Sequence, residues 1–237
     1  MTARSLIPAA ALAAALTAAV APAAAYADPV LTSVSTASIG PGSTVMTVSQ
    51  MHGNTADGLG CTVGFLAQRP DGTRVGVYAG HCGDVGQKVV FQNHIVGTVA
   101  SSSSPKLTAA ETFVDTNAPD WATFTVDPAA ASLMPVGRVH PLSVGHAKVG
   151  DAVCSDGATS GWRCGTVVDV TGSYIATTIG VSTGDSGGPL IRTSDNAALG
   201  IASRAATFGN APTPTGSLFY DLGSALAAAG GLSLVTG

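Results

Sequence analysis

Charge is scarce in this 237-residue sequence: Asp, Glu, Lys and Arg make up 10% of it, and no block of like sign occurs. Acidic or basic interaction tails are thereby excluded. The balance is acidic, −4 at pH 7 and one unit more negative without Arg4, so nucleic acid is a poor partner. Cysteine is nearly absent, and Cys61, Cys82, Cys154 and Cys164 lack the paired Cys-x-x-Cys spacing of structural zinc, so neither metal nor cofactor is expected. After the first 27 residues no apolar run is long enough to cross a bilayer, which leaves no stable membrane insertion for the remainder. Histidine is missing after residue 146. That gap decides a chain order below.

What is present suits an exported globular body. Hydrophobic residues make up 46% of the chain, enough for a sizeable core. Residues 1–27 carry Arg4, an Ala/Leu-rich run and the small-x-small triplet Ala25-Tyr26-Ala27, the pattern of a signal peptide cleaved after Ala27 and hence of a secreted protein. An uncleaved anchor is disfavoured by Pro22 and the cleavage pattern. An even cysteine count behind such a leader makes two disulfides the default.

Short alternating runs such as "VMTVS", "RVGVYAG", "KVVFQN", "WATFTV", "YIATTIG", "ALGIAS" and "SLFYDL" are strand-sized. Turn chemistries such as "PDGT" and "SDGATSG" separate them, and this spacing predicts an all-β sandwich or barrel. Only "LGSALAAAGG" reads as a helix, stopped by a Gly pair. The proline-bearing shift near 127–141 reads as a linker over 128–140. It separates β halves at 51–127 and 141–237, with 28–50 either a structural lead-in or a short pro-segment. A monomer is the default.

The stretch "STGDSGGPLI", residues 182–191, crowds glycines around Ser186. A serine hydroxyl needs an imidazole to take its proton and a carboxylate to hold that imidazole in the useful tautomer. Backbone N–H groups beside the serine must also converge on the developing oxyanion. Glycines at 184, 187 and 188 let the N–H groups of Gly184 and Ser186 do so. The motif also fits G-x-S-x-G, whose chain order ends in histidine, but no histidine follows Ser186. An acid-His-Ser order through Asp57 or Asp71 stays formally open, though the strand-rich pattern opposes it. His81, in "VYAGHCGD" at a strand end beside Cys82, is the candidate base. Asp120, in "APDWATFTV" before a strand, is the candidate acid, with Asp115 close upstream.

Jointly, "AGHC", "PDWATFTV" and "GDSGGPL", in that order, resemble the chymotrypsin-like serine protease family. "CTVGF" before "AGHC", with "VCSDGATSGWRCGTV", resembles its bacterial branch of streptogrisins and α-lytic protease. The resemblance implies two six-stranded antiparallel β-barrels with the site between them and a short C-terminal helix. It assigns His81, Asp120 and Ser186 as catalytic triad and the N–H groups of Gly184 and Ser186 as oxyanion hole. Ser203, in "LGIASRA", would support Asp120. Cys61–Cys82 and Cys154–Cys164 would be the bridges.

Two departures from the family pattern matter. Asp185, the carboxylate of the oxyanion turn, is paired in that branch by an Arg directly after the first cysteine of the second bridge, and here that position is Ser155. Arg163, Arg138 or a new amine at Asp28 are the expected substitutes, and without a partner the turn is expected to be malformed until something binds. The pocket floor near Ile179, Gly180 and Val181 carries no acid, and the wall reads Ser203-Arg204-Ala205. Cleavage of peptides after neutral rather than basic residues is therefore expected. The rival readings are a protease-fold binding module of little or no activity, and a secreted esterase with the same triad.

Overall fold

The computed structural model describes residues 37–53, 55–104, 118–209 and 215–237; the leader, its cleavage point, residues 28–36 and Asp115 lie outside them. The first half runs β1 (Ala37–Ile39), β2 (Thr44–His52), β3 (Thr55–Thr62), β4 (Phe65–Gln68), β5 (Arg74–Tyr78), β6 (Lys88–Phe91), β7 (His94–Ser103), β8 (Trp121–Val126) and β9 (Ala131–Leu133). The second runs β10 (Ser143–Val144), β11 (Ala152–Gly157), β12 (Gly161–Thr171), β13 (Tyr174–Thr177), β14 (Pro189–Arg192), β15 (Ala197–Ala206) and β16 (Gly216–Asp221), followed by α1 (Leu222–Ala228) and β17 (Ser233–Leu234).

In the second half β15, β14, β11, β12, β13 and β16 pair in that order, and β16 pairs back onto β15, closing a six-stranded barrel. In the first half the sheet runs β17-β4-β5-β8-β7-β6-β2-β3, an order that fits a second barrel, although no ladder joins its two ends among the described residues. Two short pairings, β1 with β9 and β10 with β15, are parallel, which an antiparallel reading did not anticipate. The proline-bearing connection thus contains a strand, and β2, part of the Ser/Thr-rich lead-in, is an integral member of the first sheet.

Alternation drives these elements. Val75 and Val77 on β5 and Phe124 on β8 are buried, and Tyr78 meets Phe124 edge-on with ring centroids 5.3 Å apart. Val153, Leu190, Leu199 and Phe219 fill the second barrel. A third apolar cluster straddles the halves, joining Phe65, Val75 and Trp121 to Tyr174, Ile201 and Tyr220, and takes in Leu222 and Leu226 of the helix. Asp221 caps that helix by accepting from the Ser224 N–H at 2.7 Å. Both bridges named in the sequence reading are present, Cys61–Cys82 and Cys154–Cys164. Each is worth about 2–4 kcal/mol to a folded domain.

His81 lies in a single 3₁₀ turn, Gly80–Cys82, leaving β5. A Cβ on Gly80 would fall 2.1 Å from the Ser103 carbonyl oxygen and 2.8 Å from the Trp121 nitrogen, so backbone from β7 and β8 packs where a side chain would go. Gly60, by contrast, has nothing within 4 Å of such a Cβ. Gly80→Ala is expected to cost about 1–3 kcal/mol of overpacking, a fall of roughly 3–10 °C in thermal midpoint. Gly60→Ala should stay within about 0.5 kcal/mol of the parent. Equal midpoints for the two variants in a calorimetric scan would contradict this packing.

Candidate active site

Asp120, fully buried just before β8, accepts from the His81 backbone N–H at 2.9 Å and from Nδ1 of the same imidazole at 3.0 Å, while the Ser203 hydroxyl on β15 donates to its second oxygen at 2.5 Å. Burial pushes the carboxyl pKa up. The hydrogen bonds and charge of His81, with the Ser203 hydroxyl, outweigh that and hold it below the usual carboxylate range. Nδ1 is thereby committed to the carboxylate, and Nε2 has no partner among the described residues. The sequence-selected trio His81, Asp120 and Ser203 is brought together across the two halves.

Ser186 lies in the turn between Ser182 and Pro189, where Gly184 and Gly187 have φ of 100° and 88°, values open to glycine but strained for other residues. Of the successive N–H groups, Asp185 donates to Ser182 O, Gly187 to Ala202 O and Gly188 to Asp185 O. Among the described residues those of Gly184 and Ser186 donate to nothing. Their orientation follows from peptide planarity, which points N–H and C=O of one trans unit in opposite directions. The Thr183 carbonyl is held by the Thr159 hydroxyl at 2.7 Å, which aims the Gly184 N–H the other way. The Asp185 carbonyl is held by the Gly188 N–H at 2.9 Å, which does the same for Ser186. From the first half, Thr62 donates its N–H to Ser186 O at 2.8 Å and its hydroxyl to Gly184 O at 2.7 Å.

The expected cation for Asp185 is not what holds it. Its carboxylate accepts backbone N–H groups from Thr159 and Ser160, both at 2.9 Å, and from Ser182 at 2.8 Å. Arg138 lies instead over the Trp162 ring and 3.9 Å from Asp156, and Arg163 is exposed on β12. The amine expected at Asp28 falls outside the described residues. Burial raises the Asp185 pKa, but the bonds from Ser160, Ser182 and Thr159 overcome it and leave the group below its ordinary value. The turn is therefore formed with no cation among the described residues on Asp185, correcting the expectation of a malformed one. Ser155, at the family's Arg position, is buried on β11. Gly157 allows this arrangement, since a Cβ there would lie 2.3 Å from Asp185 Oδ1.

A cavity of 570 Å³ is lined by His81, Ser186, Val181, Ser182, Thr183, Ala202, Ser203, Arg204 and Ala205. His81 and Ser186 thus share one cavity, although no hydrogen bond of 3.5 Å or less joins their side chains. Gly180, expected at the pocket floor, is exposed and not part of that lining. Sequence reasoning missed Thr62, Thr159, Ser160 and Tyr174. Thr62 and Thr159 act from other strands and turns on the backbone of 182–188 and Ser160 on the Asp185 carboxylate, and only the "SDGATSG" turn gave a hint of a tight hairpin tip.

No protein-family model matches the chain. Streptogrisin-C of Streptomyces griseus is 34% identical over 190 residues, 74% of this chain, and the chain spans 38% of that relative's length. Thermobifida fusca protease A superposes with a TM-score of 0.62 at 28% identity, covering 85% of this chain and all of its own. Nocardiopsis protease gives 0.63 at 26% identity, over 84% of this chain and all of its own. With the closed barrel, the two bridges and the glycine-flanked serine already described, these relationships identify the chain as a member of the chymotrypsin-like serine protease family, in its bacterial, streptogrisin-like branch.

Proposed function

We propose that the chain is a secreted serine endopeptidase in which Ser186 is the nucleophile, His81 the general base and then acid, and Asp120 the group that orients the imidazole. The observation that carries this reading is the buried Asp120 carboxylate. By engaging Nδ1 of His81 it fixes the tautomer with Nε2 unprotonated, beside a cavity that also holds Ser186. As Ser186 Oγ bonds to the substrate carbonyl carbon, its proton passes to Nε2. The carbonyl oxygen becomes an oxyanion facing the unpaired N–H groups of Gly184 and Ser186. Collapse breaks the C–N bond, and the same proton goes to the leaving amine. Water then repeats the steps to release the acid from Ser186. Every group needed comes from the chain, and no metal or cofactor enters these steps.

Among the described residues the cavity lining contains no acidic side chain, which supports cleavage after neutral rather than basic residues. The formed turn around Asp185 favours an active enzyme over the binding-module reading, whose main support was the missing cation. Export rests on the leader pattern and agrees with two disulfides. Among the described residues no helix is long and apolar enough to cross a membrane.

A fluorophosphonate probe is expected to label Ser186, and His81→Ala should slow labelling by at least about a thousandfold. Labelling elsewhere, or none, would reject the assignment. Thr159→Val removes the bond that orients the Gly184 N–H and should lower kcat about ten- to a hundredfold, with little change in KM. A change in KM alone would assign Thr159 a different part.

Acid stability supplies a separate check. Folded Asp120 and Asp185 hold their protons less tightly than the unfolded chain does, so stability is full above about pH 4 and falls as pH drops through the lowered folded values. Asp185→Asn, which turns an NH₂ or loses a charged acceptor toward three N–H donors, should lower the urea midpoint at pH 6. It should also lose less than the parent between pH 6 and pH 3, and an identical acid loss would contradict this account.

A further inference from the structure

Among the described residues, Arg204 is the only Lys or Arg lining the cavity that holds Ser186. A guanidinium carries five N–H donors. Here one of them is engaged, Nη2 to the Tyr174 hydroxyl at 3.2 Å, and the buried Nε has no partner among the described residues. The group also lies over the Tyr174 ring, 5.6 Å from its centroid. Tyr174 is itself tied to the first half, its hydroxyl donating to Ala118 O at 3.1 Å. The planar fork is therefore braced in place, half-buried, while no carboxylate of the described residues lies within ion-pair distance. Asp120, the nearby acid, is already taken by His81 and Ser203.

A second cavity, of 470 Å³, borders His81 and is lined by Leu59, Cys82, Asp84 and Gln87 among others; it includes neither Ser186 nor Arg204. The acyl portion of a substrate remains bonded to Ser186 while the amine departs, so the cavity shared with Ser186 receives the acyl side. The exposed Asp84 carboxylate makes the other cavity the wrong end for an acidic side chain. We propose that Arg204 binds a carboxylate side chain on the acyl side of the scissile bond, so that the enzyme prefers peptides with an Asp or Glu near the cut. A charge-assisted, potentially bidentate pair in a half-buried cleft is worth about a tenfold preference over the neutral amide. The proposal rests on the reading of Ser186 as the nucleophile.

The test uses the protein as expressed and a set of quenched fluorescent peptides. Glu, Gln or Lys is placed in turn at each of four residues on the amino side of the cut, with fluorophosphonate titration counting competent Ser186 in every preparation. At one position the parent should cleave the Glu peptide about tenfold faster than its Gln twin in kcat/KM, with the ratio shrinking as salt is raised. Arg204→Glu should invert the order at that same position, favouring Lys over Glu, and Arg204→Lys should keep the parent's direction. Because the readout is a ratio within one titrated preparation, a partly misfolded variant does not mimic the result. A Glu-to-Gln ratio near one at all four positions, or an unchanged ratio in Arg204→Glu, would overturn the proposal while titration still reports an active Ser186. Failure to titrate in the parent would instead reject the nucleophile.

Discussion

A carboxylate taken out of water must be met by donors, and the site depends on how Asp185 meets that demand. Three backbone N–H groups converge on it, two from the tip of the β11–β12 hairpin and one from its own turn. Backbone donors cost no side-chain ordering, and they locate the carboxylate only if both segments hold their shape. The constraint therefore runs both ways: the hairpin tip fixes the turn, and the buried charge fixes the hairpin tip. Cys154–Cys164 lies at the paired register of the same two strands and limits how far the tip drifts.

The second constraint is the seam. Asp120 precedes a strand of the first half, yet the hydroxyl that completes its hydrogen bonding belongs to β15 of the second. Thr62, at the end of β3, bonds the backbone on both sides of Asp185. Tyr174 reaches from β13 to Ala118. With the apolar cluster of Phe65, Trp121, Ile201 and Tyr220 behind them, these bonds make the two halves one unit. Relative sliding of the halves would cost hydrogen bonds and buried area together.

The parts of this arrangement legible in the sequence are those encoded within a few residues. Glycines around Ser186, the strand alternation of "WATFTV" and the histidine gap after residue 146 each carry their meaning locally, and so do the Gly pair after α1 and the cysteine context of His81. Thr159 and Ser160 were unreadable as donors to Asp185, because that contact requires the register of β11 on β12 and of β11 on β14. The expectation of a cation came from the family pattern, in which an Arg stands where this chain has Ser155, and it overlooks the N–H groups that every peptide unit offers. The strand β9 was hidden by flanking prolines, and its parallel pairing with β1 has no signature at short range. The addition of β17 to the edge of β4 in the first sheet was likewise unreadable, because the two segments lie far apart in the sequence.

That return has a kinetic meaning. Strand β4 offers one edge to β5 and the other to Ser233 and Leu234, some 165 residues further along the chain. During synthesis the first sheet emerges from the ribosome long before its last strand does, and the open edge of β4 stays available to other chains for that interval. Completion of the first sheet is thereby postponed until Ser233 and Leu234 are in place.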